Sequence, residues 1–175
     1  MVVAAFRGDF TYDILLWAHI LCAIIGFGAV VLNGVYGAKA KALAQGGKPG
    51  QAAAVAETNY AVSKIGEYFI YAVFVLGILL IVVSDGIWEF SDAWLGAAMG
   101  LYIVGLSVAH AVLQPSARRM AAILRELDSA GPPAGGPPPQ AAEMAQLGQR
   151  LGMFGAINDV ILVVILYLMV FKPGA

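Results

Sequence analysis

Charge is scarce in this chain. Ten Lys and Arg and eleven Asp and Glu make up 12% of 175 residues, half the share of a soluble domain, while 61% are hydrophobic and the mean hydropathy is +0.82. That balance excludes an ordinary water-soluble fold and points to a membrane protein. The net charge of -1 removes the basic footprint that nucleic-acid binding needs. A single cysteine excludes an intrachain disulfide. No GxxxxGK loop, HExxH helix, CxxC pair or GxSxG elbow occurs, so nucleotide hydrolysis, zinc proteolysis and serine-esterase chemistry have no support. Whether the chain is an enzyme stays open.

Four apolar stretches fill the space the charges leave. The first, ILLWAHILCAIIGFGAVVLNGVY, has no charge and would span roughly 34 Å as a helix, enough for a bilayer core. Spans are expected at about 12–36, 66–83, 93–114 and 152–171. The N-terminal MVVAAFRGDFTYD lacks a basic run and precedes a segment too long for a signal-peptide core, so it reads as retained. Between the first two spans, Gly46, Gly47, Pro49 and Gly50 form a breaker, and the alanine-rich stretch after it should run as helix straight into the membrane. Trp88 and Trp94 flank a short acidic turn as interfacial anchors. Pro115 should kink or end the third span. The amphipathic SARRMAAILRELD after it should lie near the headgroups, and the Pro/Gly-rich linker 129–140 should be extended or disordered.

Lys39, Lys41, Lys48, Lys64, Arg118, Arg119, Arg125 and Arg150 all fall in the two long connections, and only Arg7 and Lys172 lie on the other side. By the positive-inside rule the long connections are cytoplasmic and both termini outside. The expected fold is all-α: a single integral membrane four-helix bundle, up-down-up-down, with helices extended on the cytoplasmic side.

Chemistry inside such a bundle must come from polar residues on helix faces turned to protein. In the first span His19, Cys22, Gly26, Ala29, Asn33 and Tyr36 share one stripe. His19 should lie roughly 10 Å below the outer interface and His110 roughly 24 Å below it, so one haem cannot take both as axial ligands. At the inner level a polar cluster of Asn33, Glu67, Tyr71, Ser107, His110, Gln114, Asn158 and Asp159 is expected. Glu67, His110 and Asp159 could relay a proton or cation, or the cluster could be a hydrogen-bond network that fixes helix register. At the outer level His19 with Cys22 could start a copper site, with Met99 or Met169 as extra donors, and His19 alone could ligate haem b. A small buried Cys beside a hydrogen-bonded His is the plain structural alternative. Gly26, Gly96, Gly100, Gly152 and Gly155 are helix-packing candidates, the Gly96 and Gly100 pair in GxxxG spacing.

LLWAHILCAIIGFG in the first span, LYIVGLSVAH running to RRM in the third, and the closing ILYLMVFKPG together resemble the bacterial family of predicted integral membrane proteins called domain of unknown function 2269. That resemblance implies four helices and assigns no activity. The early span-one histidine followed by a Gly-rich turn is also similar, more distantly, to copper-resistance-D proteins and membrane-bound protoporphyrinogen oxidases, which would make His19 a cofactor ligand. The oxidases carry a Pro-Arg pair soon after that helix's glycine, where this chain has Leu32 and Asn33. Three functional expectations follow: a cofactor-binding or redox-linked membrane protein using His19, haem b before copper; a non-catalytic accessory or assembly subunit, as a homo-oligomer or in a membrane complex; and proton or cation transport. The cofactor-free case belongs to the second. The bilayer is a partner in all three, and nucleic acid in none.

Overall fold

A computed structural model describes residues 10–131 and 139–174. It contains α1 (Phe10–Gln45), α2 (Pro49–Val82), α3 (Ala93–Val108), a π-turn (Ala109–Leu113), α4 (Gln114–Ala130) and α5 (Ala141–Phe171). Among the described residues there are four helices long and apolar enough to cross a membrane, because α3, the π-turn and α4 run together as one of 38 residues. The others have 36, 34 and 31 residues. At about 1.5 Å per residue each reaches about 46 Å or more, well past a core of about 30 Å. Each therefore carries an extension, and all four extensions lie on the side of the α1–α2 turn. The expected all-α membrane bundle is the architecture found.

The turn joining α1 to α2 follows from its sequence. Gly47 takes φ +70, which only glycine adopts without strain, and this lets Lys48 N–H donate to Leu43 O at 3.0 Å and Gly47 N–H to Ala44 O at 3.2 Å. Pro49, which needs no N–H partner, then opens α2. The two helices leave this turn as a long antiparallel hairpin. Its tightest crossing is where Gly26 and Ala29 meet Gly66 and Ile70: a Cβ on Gly26 would stand 3.0 Å from Ile70 Cγ1, 3.1 Å from Ile70 N and 3.3 Å from Gly66 O, and one on Gly66 would overlap Ala29 Cβ. Small residues here let backbones touch, which is how helices associate where no water drives them together.

The densest packing lies in the extensions. Ala52, Ala53 and Leu124 are buried together, with Leu43, Ala44, Ala56, Met120 and Met144 around them, and Ile123 is 0% exposed. The apolar side of the amphipathic α4 is packed on protein. Its apolar face has a protein partner in α2, and a protein core removes that face from water without membrane. Arg119 binds Glu143 of α5 through Nε at 2.7 Å and Nη2 at 2.9 Å, and Arg125 pairs with Glu57 of α2, so both polar flanks of α4 are tied down. Most of the expected Pro/Gly linker, 132–138, lies outside the described residues.

Pro115 does not end the third span. Its missing N–H and its ring are incompatible with a regular α-turn around the carbonyl four residues earlier. The π-turn just before it widens the ladder, with Gln114 N–H donating to Ala109 O five residues back, and the helix continues. At the opposite end of the molecule, Trp94 is 6% exposed and Trp88 meets it edge-on at 5.6 Å between centroids. Trp94 is a packing residue there and not a lipid-facing anchor. Lys172 Nζ lies 3.7 Å over the Trp88 ring, capping the end of α5 onto this pair. Burial in that corner holds Lys172 below the ordinary lysine range.

Candidate functional site

One polar network stands inside the membrane-spanning part, where α2 faces the π-turn. Glu67 and Tyr71 are one helical turn apart on α2, and His110 and Gln114 one turn apart across the π-turn. Tyr71 Oη donates to Glu67 Oε1 at 2.5 Å and lies 2.8 Å from His110 Nε2. Gln114 Nε2 donates to Glu67 Oε2 at 3.1 Å and lies 3.0 Å from His110 Nδ1. Lys64 Nζ closes the aqueous edge, 2.6 Å from Glu67 Oε2.

These bonds order the protons. An amide nitrogen can only donate, so Gln114 makes His110 Nδ1 an acceptor. In the tautomer that matches this arrangement, His110 carries its proton on Nε2 and donates it to Tyr71, whose own hydroxyl proton goes to Glu67. The result is a one-way row: His110 Nε2–H to Tyr71 O–H to Glu67 carboxylate. Glu67 is well enclosed, its side chain 14% exposed, whereas His110 is 39% exposed and faces out of the bundle. Counting along α2 from Val82 and along α3 from Trp94 puts Glu67 and His110 about 22–24 Å from the short-loop end, in the far third of the core, with the Tyr71 backbone about 6 Å nearer that end.

The remaining predicted residues divide clearly. Asn33 is apart from the row: its Oδ1 accepts from Ser63 Oγ at 2.7 Å, locking α1 to α2. Ser107 faces outward and turns its hydroxyl back to Ile103 O at 2.8 Å. Asn158 Oδ1 packs on Gly105, 3.1 Å from where a Cβ would stand, joining α5 to α3. Asp159, one residue further, is exposed and makes no hydrogen bond or ion pair among the described residues. Glu67 and His110 therefore meet, and Asp159 stands apart from both. Gly96, Gly100, Gly152 and Gly155 have nothing within 4 Å of a built Cβ, so of the five packing candidates only Gly26 is buried against a neighbouring helix.

His19 sits elsewhere. Its Cε1 lies 3.3 Å from the position of a Cβ on Gly77, and the Val73 backbone is within electrostatic reach, yet Nδ1 is buried with no hydrogen bond of ordinary geometry. Cys22 is a free thiol, half-buried one turn along. Among the described residues no group of three or more His, Cys, Asp or Glu is placed to hold a metal ion. Gly77 is six to ten residues from Tyr71 and Glu67, so the two histidines meet α2 about 9–15 Å apart in height.

Lys64, Ser63 and Tyr60 are partners that sequence reasoning passed over. The signal for them was helical spacing back from Glu67, three and four residues for Lys64 and Ser63 and a further turn for Tyr60.

A family model described as a predicted integral membrane protein (DUF2269) matches residues 13–173. No curated protein and no solved structure matches the chain.

Proposed function

The chain belongs to the DUF2269 family of predicted integral membrane proteins, and we propose that it handles protons within the membrane through Glu67, Tyr71, His110 and Gln114. The observation that carries this reading is the ordered donor row from a bilayer-facing imidazole through a tyrosine hydroxyl to an enclosed carboxylate. Each link is within hydrogen-bond distance, so a proton moves along it by short hops. Once Gln114 turns away, a proton taken by His110 Nδ1 from water reaching the exposed imidazole lets Nε2–H pass to Tyr71 Oη and the Tyr71 proton to Glu67, leaving His110 neutral with its proton on Nδ1. The imidazolium formed on the way is held by Glu67, whose Oε1 is 3.4 Å from Nε2. Lys64, an ammonium that can only donate, holds Glu67 Oε2 at the extended side of the row. We place that side in the cytoplasm of a bacterial inner membrane, with both termini outside, because eight of the ten basic residues lie there.

The test is proton entry into proteoliposomes under a potassium diffusion potential, read with an internal pH dye. Glu67→Gln and His110→Ala should each slow entry by about a hundredfold, the low end for a lost acid–base group. Ser107→Ala, outside the row, should leave it unchanged. Equal rates in all four proteins would overturn the reading.

His19 supports a second reading, a bound haem b or, less favoured, copper with Cys22. The observation behind it is the buried Nδ1, which has the Val73 backbone as a polar neighbour and makes no hydrogen bond of ordinary geometry. His19 is the residue that would hold a haem there, and the group would supply one-electron chemistry. Reduced-minus-oxidised visible spectra and metal analysis decide it: bands lost in His19→Ala support it, and a folded protein that takes up neither haem nor copper refutes it.

A further inference from the structure

α2 and α4 part just beyond the membrane core to leave a cleft of about 270 Å³, lined by Glu57, Tyr60, Arg118, Ala121, Ala122 and Arg125. Arg118 lies 24 residues past Trp94, roughly 36 Å along the helix, which is some 6 Å outside a hydrocarbon core of about 30 Å. That is the level of the phosphates. Tyr60 arrives at the same height on α2, and Arg118 Nε donates to its hydroxyl at 2.9 Å while the guanidinium lies 5.1 Å over its ring. This contact fixes the guanidinium without neutralising it.

The charge pattern around it is uneven. Arg119 is satisfied by Glu143 and Glu126, Arg125 by Glu57, and Lys64, which feels the Arg118 charge, by Glu67. Arg118 alone among the arginines of α4 has no carboxylate within 4 Å among the described residues. With Glu57 cancelled by Arg125, the cleft carries one net positive charge, and the two Nη atoms of Arg118 remain available for a bidentate anion. Ala121 and Ala122 give an apolar floor.

We propose that this cleft binds the phosphate of an anionic phospholipid headgroup, with Arg118 as its charge partner and Tyr60 holding the guanidinium in place. On the membrane side of Tyr60, α2 exposes Ile65 (58%), an apolar surface along which a lipid's glycerol and upper acyl chain would lie, so a lipid fits better than a free phosphate.

Native mass spectrometry of the full chain in neutral detergent tests this, with phosphatidylglycerol, phosphatidylcholine and inorganic phosphate as probes. Phosphatidylglycerol should bind in preference to phosphatidylcholine, inorganic phosphate should not displace it, and Arg118→Gln should weaken it about tenfold, as for one lost charge-assisted contact. Arg118→Lys should recover part of the loss, and Arg125→Gln, which frees Glu57 to oppose the anion, should also weaken binding. Equal binding of the two lipids, or of phosphatidylglycerol by wild type and Arg118→Gln, would overturn the proposal. Displacement by inorganic phosphate that binds alone with the same Arg118 dependence would also overturn it in favour of a soluble phosphate site.

Discussion

Replacing Gly26 by alanine puts one methyl group into the closest crossing of α1 and α2. The new carbon would meet Ile70 Cγ1 at 3.0 Å, Ile70 N at 3.1 Å and Gly66 O at 3.3 Å. Carbon contacts settle near 3.5–4.0 Å, and two of these three neighbours are backbone atoms that cannot rotate away, so the helices must separate by roughly 0.5 Å. Overpacking of this kind costs about 1–3 kcal/mol, and a gap of that size forfeits a quarter or more of the contact energy along the hairpin. Alanine returns at most about 1 kcal/mol in helix propensity. The expected net loss is about 1–2 kcal/mol for Gly26→Ala, and more for Gly66→Ala, whose methyl would overlap Ala29 Cβ. Gly100→Ala and Gly152→Ala, with nothing within 4 Å, should be neutral or gain up to about 1 kcal/mol. The assay is reversible unfolding in mixed micelles with increasing SDS, followed by the fluorescence of the three tryptophans. If Gly26→Ala unfolds together with Gly100→Ala, the hairpin crossing is not what holds α1 to α2.

Further outcomes follow from the extensions and the π-turn. Leu124 is 2% exposed, so Leu124→Ala should cost about 2–4 kcal/mol and raise amide exchange in 49–60 and 116–128, leaving the membrane spans protected; unchanged exchange there would contradict a shared core. Pro115→Ala restores an N–H and lets the π-turn contract to α, which turns His110 by roughly 100° relative to α4 and breaks its bonds to Tyr71 and Gln114. Nitrogen NMR of labelled histidine should then show His110 losing its single Nε2–H tautomer, while an unaltered signal would mean that another contact, not Pro115, sustains the π-turn. Lys172→Met should release the end of α5 from the indole pair, seen as a shift of tryptophan emission; an unmoved spectrum would remove the cation–π contact as the clasp.

Much of this protein follows from composition and spacing alone. Four apolar runs of bilayer length, scarce charge and a GGKP turn determine an all-α membrane bundle, because in hydrocarbon an open backbone has to satisfy its own hydrogen bonds. Helical spacing also pairs Glu67 with Tyr71 and His110 with Gln114, each on one helix. What it does not determine is the rotation of each helix about its own axis. In water the polar face identifies the outside, but in lipid both the packed and the exposed sides of a helix are apolar, so the glycine stripes of α1, α3 and α5 look alike. Only the tertiary structure turns Gly26 inward and leaves Gly96, Gly100, Gly152 and Gly155 with nothing within 4 Å of a built Cβ. The same freedom hid the composition of the polar row: one extra residue in the ladder before Pro115 changes the local rotation, and it is there that His110 meets Tyr71 while Ser107 faces away. For α4, too, the amphipathic pattern states that a face must be covered but not by what. Lipid and a neighbouring helix both suffice, and Ala52 and Ala53 of α2 are close enough to be the cover.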